Sequence, residues 1–148
     1  MVPKFRGKRK DNGEWVVGVP IPNSFCNVVH MIPILLTDKV AYPLERLHEY
    51  LIEIVPETLG QSTDFKDKNG VEIFEGDIVK IAINNGFDYL DGNLSIVKKS
   101  EFHSGLICEL LSNKLEYLIT DEADTGYRYE VVGNIYENPE LLEQANEN

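Results

Sequence analysis

The chain has 148 residues, 43% of them apolar, with seven Tyr, six Phe and one Trp, so it can bury a core without metal or disulfide support and is not a disordered chain. Its formal net charge of −11 sets long-range repulsion against phosphate backbones, so nucleic-acid binding would need a local basic patch. Two cysteines with no Cys-x-x-Cys pair do not make a disulfide framework, and the longest apolar run, Met31 to Leu36, is broken by Pro33 and cannot span a bilayer.

Lys4 to Arg9 reads as an extended stretch, Lys10-Asp11-Asn12-Gly13 as a turn, and Trp15 to Val19 as the return strand of a hairpin. Trp15, Val17 and Val19 would share one face of that strand. Pro20 to Pro22 is expected to end it, because proline lacks the ladder N–H. Val28 to Leu36 is a short strand with Pro33 at an edge or bend. Thr37 to Tyr50 is ambiguous: Pro43 to Tyr50 could form a short helix with proline in its first turn, but the run Leu51 to Val55 favours a strand instead, and both options stay open. Pro56 to Gln61 crosses between elements.

Asp67-Lys68-Asn69-Gly70 is a second turn signal. Val71 to Phe74, a tight turn at Gly76-Asp77, and Ile78 to Ile81 form a strand–corner–strand unit of the kind that builds small barrels, with Ile78 or Val79 pointing inward. Asn84 to Asn93 is loop-like. Leu94 to Val97, Leu106 to Leu111 and Lys114 to Thr120 are strands, and Asp121 to Gly126 is an acidic turn. Arg128 to Tyr136 is a strand that Gly133 interrupts, as a bulge or as a point of close backbone approach. Asn138 and Pro139 then open a short helix running to about Gln144. Trp15, Phe74, Tyr129 and Tyr136 are expected to pack in the interior. The pattern predicts a mainly β fold.

Three groups of segments together resemble the YopX family of phage and prophage proteins. The first is Lys4-Phe5-Arg6-Gly7-Lys8 with Trp15-Val16-Val17-Gly18. The second is Ile54 to Gln61 and Phe65 to Gly70, continued by Glu72 to Val79. The third is Tyr129 to Leu142. The resemblance implies a single YopX-like domain over 1–148 with a small SH3-like barrel, further β-hairpins and a short C-terminal helix. It implies no activity and no catalytic residues. The stretches 20–50, read as a variable insertion or subdomain, and 84–124 carry little of the likeness.

Chemistry-bearing patterns are sparse. His30, His48 and His103 are widely spaced, and no pair of them with Cys26 or Cys108 has metal-ligand spacing. Asp121-Glu122-Ala123-Asp124 lacks the calcium-loop pattern. No nucleophile elbow or phosphate loop occurs, and Glu75 with Asp77 is a turn pair. No metal, cofactor or enzymatic activity is therefore expected, and both cysteines are expected to be buried or half-buried free thiols.

Two sets of residues stand out as interaction candidates. Lys4, Arg6, Lys8 and Lys10 alternate along the first strand beside Phe5 and Trp15, a pattern that can contact single-stranded nucleic acid or pair with acidic residues of the same or another chain. Glu57, Thr58, Gln61 and Asp64 could line a polar groove, with Phe65 partly exposed. Met1 to Trp15 carries five basic and two acidic residues, whereas Tyr129 to Asn148 carries five acidic and no basic ones. That asymmetry points to self-association. The reading is a non-enzymatic interaction or regulatory module, with a host or phage protein as partner. A nucleic-acid-associated protein and an acidic decoy of a host protein are the alternatives. No signal-peptide pattern is visible, so a cytoplasmic location in a bacterial host is expected.

Overall fold

The computed structural model describes residues 4–23, 26–33, 44–83, 92–102, 104–119 and 127–146. The chain divides into two compact units, Met1–Gln61 and Ser62–Asn148.

In the first unit, β1 (Phe5–Lys8), β2 (Trp15–Asn23), β3 (Val28–Pro33) and β4 (Ile52–Ile54) form an antiparallel meander. The predicted turn closes the first hairpin: Arg9 N–H donates to Glu14 O at 2.8 Å and Gly13 N–H to Arg9 O at 2.9 Å. Pro20 and Pro22 do not end β2. They pair opposite Met31 and Val29, and both nitrogens lie on one edge of the strand. Past Gly18 that edge no longer faces β1, so the missing N–H groups break no ladder. A 3₁₀ turn at Leu44–Glu49 precedes β4, so both options hold in turn: the chain is helical first and extended second.

Phe5, Val16, Val29, Met31, Ile52, Ile54 and Leu59 pack together in this unit. Trp15, Val17 and Val19 do share a face, but it is the opposite one: Trp15 is half-buried and Val17 is 37% exposed. The inward face is set by Gly7 and Gly18, where Ile54 and the Ile32 carbonyl approach closely.

In the second unit, the end of β5 (Gly60–Lys66) pairs with β6 (Glu72–Phe74) across the predicted Asp67–Gly70 turn. β7 (Asp77–Ile83), β8 (Leu94–Lys99), β9 (Leu106–Leu110), β10 (Glu116–Leu118) and β11 (Tyr127–Asn134) form the second sheet. Ile73, Val79, Ile81, Val97, Cys108, Leu110 and Tyr129 are its core. Ile78 and Val79 point to opposite faces, and both are fully buried. The expected bulge in β11 lies between Val131 and Gly133.

The SH3-like barrel is not found. The strands make two open sheets, in the order β4-β3-β2-β1-β5-β6 and β10-β9-β8-β7-β11, and neither closes on itself. One isolated bridge, Arg9 to Ile54, clips β4 to the end of the first hairpin without forming a ladder. The corner that suggested a barrel is real but has another use. Gly76 sits at φ +94°, between β6 of one sheet and β7 of the other, so the bend transfers the chain between sheets.

A short helix, α1 (Glu140–Asn146), follows β11. The Asn138 carbonyl accepts from Leu141 N–H at 3.1 Å at its start. The Asn138 Oδ1 accepts from Asn134 N–H at 3.1 Å and closes the turn after β11. The loop expected at 84–91, His103 and the acidic turn 121–126 lie outside the described residues.

Candidate interaction surface

Alternation along β1 places Arg6 and Lys8 on the outer face, opposite the side that Gly7 presents to Ile54. Lys8 pairs across the strands with Trp15. The Arg6 guanidinium stands 4.5 Å from the centroid of the Trp15 ring and the Lys8 ammonium 5.5 Å, a double cation–π arrangement. Lys4 begins the same face and is half-buried. Lys10 leaves the strip and meets Glu53 at 3.0 Å. Arg9 grips Asp11 with two hydrogen bonds of 2.8 and 2.9 Å, which hold the Asp11 carboxyl below its ordinary range.

Between these ion pairs lies a shallow depression of about 290 Å³ lined by Arg9, Lys10, Asp11, Leu51, Ile52 and Glu53. The Arg9–Asp11 and Lys10–Glu53 pairs balance charge at its rim, so it offers no net field to a charged ligand.

Thr58 is a structural residue. It is buried, and its hydroxyl accepts from Lys8 N–H at 2.9 Å while donating to Val55 O at 2.6 Å. Glu57 is exposed and Gln61 half-buried opposite Phe5. These three belong to the first unit, whereas Asp64 and Phe65 belong to the second. Asp64 is exposed at φ +66°, and Phe65 is 36% exposed.

Asp67 was read as turn punctuation and has a larger role. One carboxylate oxygen accepts from Asn69 and Val71 N–H at 2.8 and 2.9 Å, and the other from Val131 N–H at 2.9 Å. The first two bonds are the local Asp-x-x-Gly turn signal, while the third links that turn to a strand 64 residues away. Asp77, 1% exposed, accepts from Phe74 N–H at 2.8 Å. Asn134 Oδ1 accepts from Tyr136 and Glu137 N–H. Ser62 donates to Glu72 at 2.6 Å, and Ser95 shares a 2.5 Å hydrogen bond with the Tyr117 hydroxyl.

Cys108 lies in the second core, where burial pushes its thiol up to about 12. Burial likewise raises the Tyr117 phenol. Cys26, in the β2–β3 turn, is exposed, contrary to the expectation that both thiols would be sheltered, and both are free. Among the described residues no group of three His, Cys, Asp or Glu side chains is arranged to hold a metal, and no helix is long and apolar enough to cross a membrane.

The sequence reading also missed Phe102, which is 77% exposed beside the β8–β9 hairpin. An aromatic residue among Ser, Glu and Gly between two predicted strands was the available signal.

Two open β-sheets define a mostly β protein. The YopX protein family model matches residues 4–143, and the chain belongs to that family. With that placement the expectation of a phage or prophage protein stands. The crystal structure of protein EF1440 from Enterococcus faecalis is similar in fold, with a TM-score of 0.54 and 24% identity over 96% of this chain and 99% of that one. No curated protein matches the chain.

Proposed function

We propose that the protein acts by binding a protein partner, as a non-enzymatic interaction or regulatory module. The observation that carries this reading is the use of the buried polar side chains. Thr58, Ser62, Asp67, Asp77, Ser95 and Asn134 each hold a backbone amide, a carbonyl or a neighbouring side chain in place. Bonds of this kind support a scaffold role for these side chains. Large apolar side chains, Phe102 above all, face solvent.

The test immobilises the full chain, captures proteins from a lysate of its bacterial host, and titrates each purified capture in solution. A saturable complex supports the reading. No saturable protein partner, or multiple turnover of a substrate by the purified chain, overturns it.

Self-association is a second reading, favoured by the five basic side chains of Met1 to Trp15 against the five acidic ones of Tyr129 to Asn148. Light scattering over a dilution series at low and moderate salt tests it. A monomer at the highest concentration in both buffers removes it.

A further inference from the structure

From the turn that follows β8 we infer that Phe102 is a docking knob, inserting into an apolar pocket of a protein partner that carries net positive charge around that pocket. The inference rests on the binding reading above and names its surface.

The ring is held out by a fixed backbone. Ser100 N–H donates to Gly105 O at 3.0 Å. The Ser100 hydroxyl accepts from Phe102 N–H at 3.0 Å and donates to Glu116 at 2.6 Å. The second Glu116 oxygen accepts from Glu101 N–H at 3.1 Å. Lys98 adds ion pairs to Glu109 at 3.1 Å and Glu101 at 3.7 Å. Three consecutive strands thus brace the residues on which the ring stands. Next to Glu116, Leu115 is 54% exposed, and its N–H is tied to Asn113 at 3.0 Å.

An exposed ring on a mobile loop loses its conformational freedom on binding. A ring on a braced turn has already given up most of the backbone part, so more of its burial appears as affinity. Aromatic anchors entering pockets are the commonest interface hot spots.

Charge selects the class of partner. At −11 the chain repels an anionic bilayer and nucleic acid, whereas a cationic protein surface is attracted to it over distance.

The experiment places a photo-crosslinking amino acid at position 102, and separately at Val71, in the full chain expressed in the host. Val71 is 49% exposed on another turn. Captured protein is purified and titrated with the wild type, Phe102→Ala and Val71→Ala, after urea midpoints confirm that all three fold alike. Phe102→Ala should weaken binding about tenfold or more, and Val71→Ala by less than about twofold. Added salt should slow association without erasing the difference between the variants. A saturable partner indifferent to Phe102→Ala overturns the knob and leaves the binding reading intact. The absence of any saturable partner overturns that reading, and the knob with it. Phe102-dependent binding to phosphatidylglycerol vesicles would overturn the assignment to a protein.

Discussion

Substituting Asp67 with alanine removes the acceptor for three backbone amides at once. The amides of Asn69 and Val71 lie in an exposed turn and can turn to water, so each loss costs about 0.5–1 kcal/mol. The Val131 amide is in a half-buried strand beside the bulge, where an unmet donor costs about 1–3 kcal/mol. The total is about 2–5 kcal/mol, a large share of the 5–15 kcal/mol typical of a domain. Asp67→Asn keeps one oxygen for the turn and sets an amide N–H₂ against the Val131 N–H, so it should cost about 1–2 kcal/mol. Urea unfolding measures both, with an unchanged slope showing that only stability has moved. Hydrogen exchange at Val131 should quicken in both variants. An alanine variant within about 1 kcal/mol of wild type, or an asparagine variant as damaging as alanine, would refute the assignment of this carboxylate as a long-range brace.

Gly18→Ala builds a Cβ 2.0 Å from the backbone oxygen of Ile32, which cannot step aside, so the β2–β3 pairing should open and stability fall by about 3 kcal/mol or more in urea titration. Gly7→Ala meets Ile54 Cδ1 at 2.4 Å, the end of a flexible side chain; it should cost about 1–2 kcal/mol, and Ile54→Val in the same chain should recover part of that. With a disulfide-exchange reagent, Cys26 should react in the native protein and Cys108 only on unfolding; fast reaction of both thiols would contradict the burial of Cys108. Cys108 stays protonated when folded up to about 12, whereas the unfolded thiol ionises near 9.0, so between those values the unfolded state binds fewer protons and stability falls as pH rises. The loss should reach about 2 kcal/mol by about pH 10.5, and Cys108→Ala should flatten the slope even though its cavity lowers stability throughout.

The turns were legible because their chemistry is local. Asn12-Gly13, Asp67 to Gly70, Gly76 and the Gly133 bulge all lie where their residues indicated. Which strand pairs next is not local. Phe74 to Ile78 reads the same whether it turns a barrel corner or hands the chain from one open sheet to another, and only the partners of β6 and β7 decide. Period-two alternation likewise put Trp15, Val17 and Val19 together but could not say which face would be buried. Gly7 and Gly18, spaced to admit Ile54 and the Ile32 carbonyl, made that choice. Thr58 looked available for a ligand because a hydroxyl's partners, here Lys8 and Val55, are invisible until the chain folds.

The segments that carry the family likeness are also the ones whose side chains are consumed by the fold. Thr58 ties the 3₁₀ turn before β5 to Lys8, Asp67 ties a turn to β11, Asp77 holds the Gly76 corner, and Asn134 with Asn138 closes the end of β11. Changing any of these leaves a buried polar group without its partner, which is among the costliest things a substitution can do. Membership in the family therefore transfers a scaffold, and nothing in these bonds transfers a ligand. Phe102 and Leu115 lie outside those segments, and both face solvent. Substitutions at such positions usually move stability by less than about 0.5 kcal/mol. Substitutions in the β8–β9 and β9–β10 turns should therefore leave the same sheets in place, held by the braces at Asp67, Asp77 and Asn134.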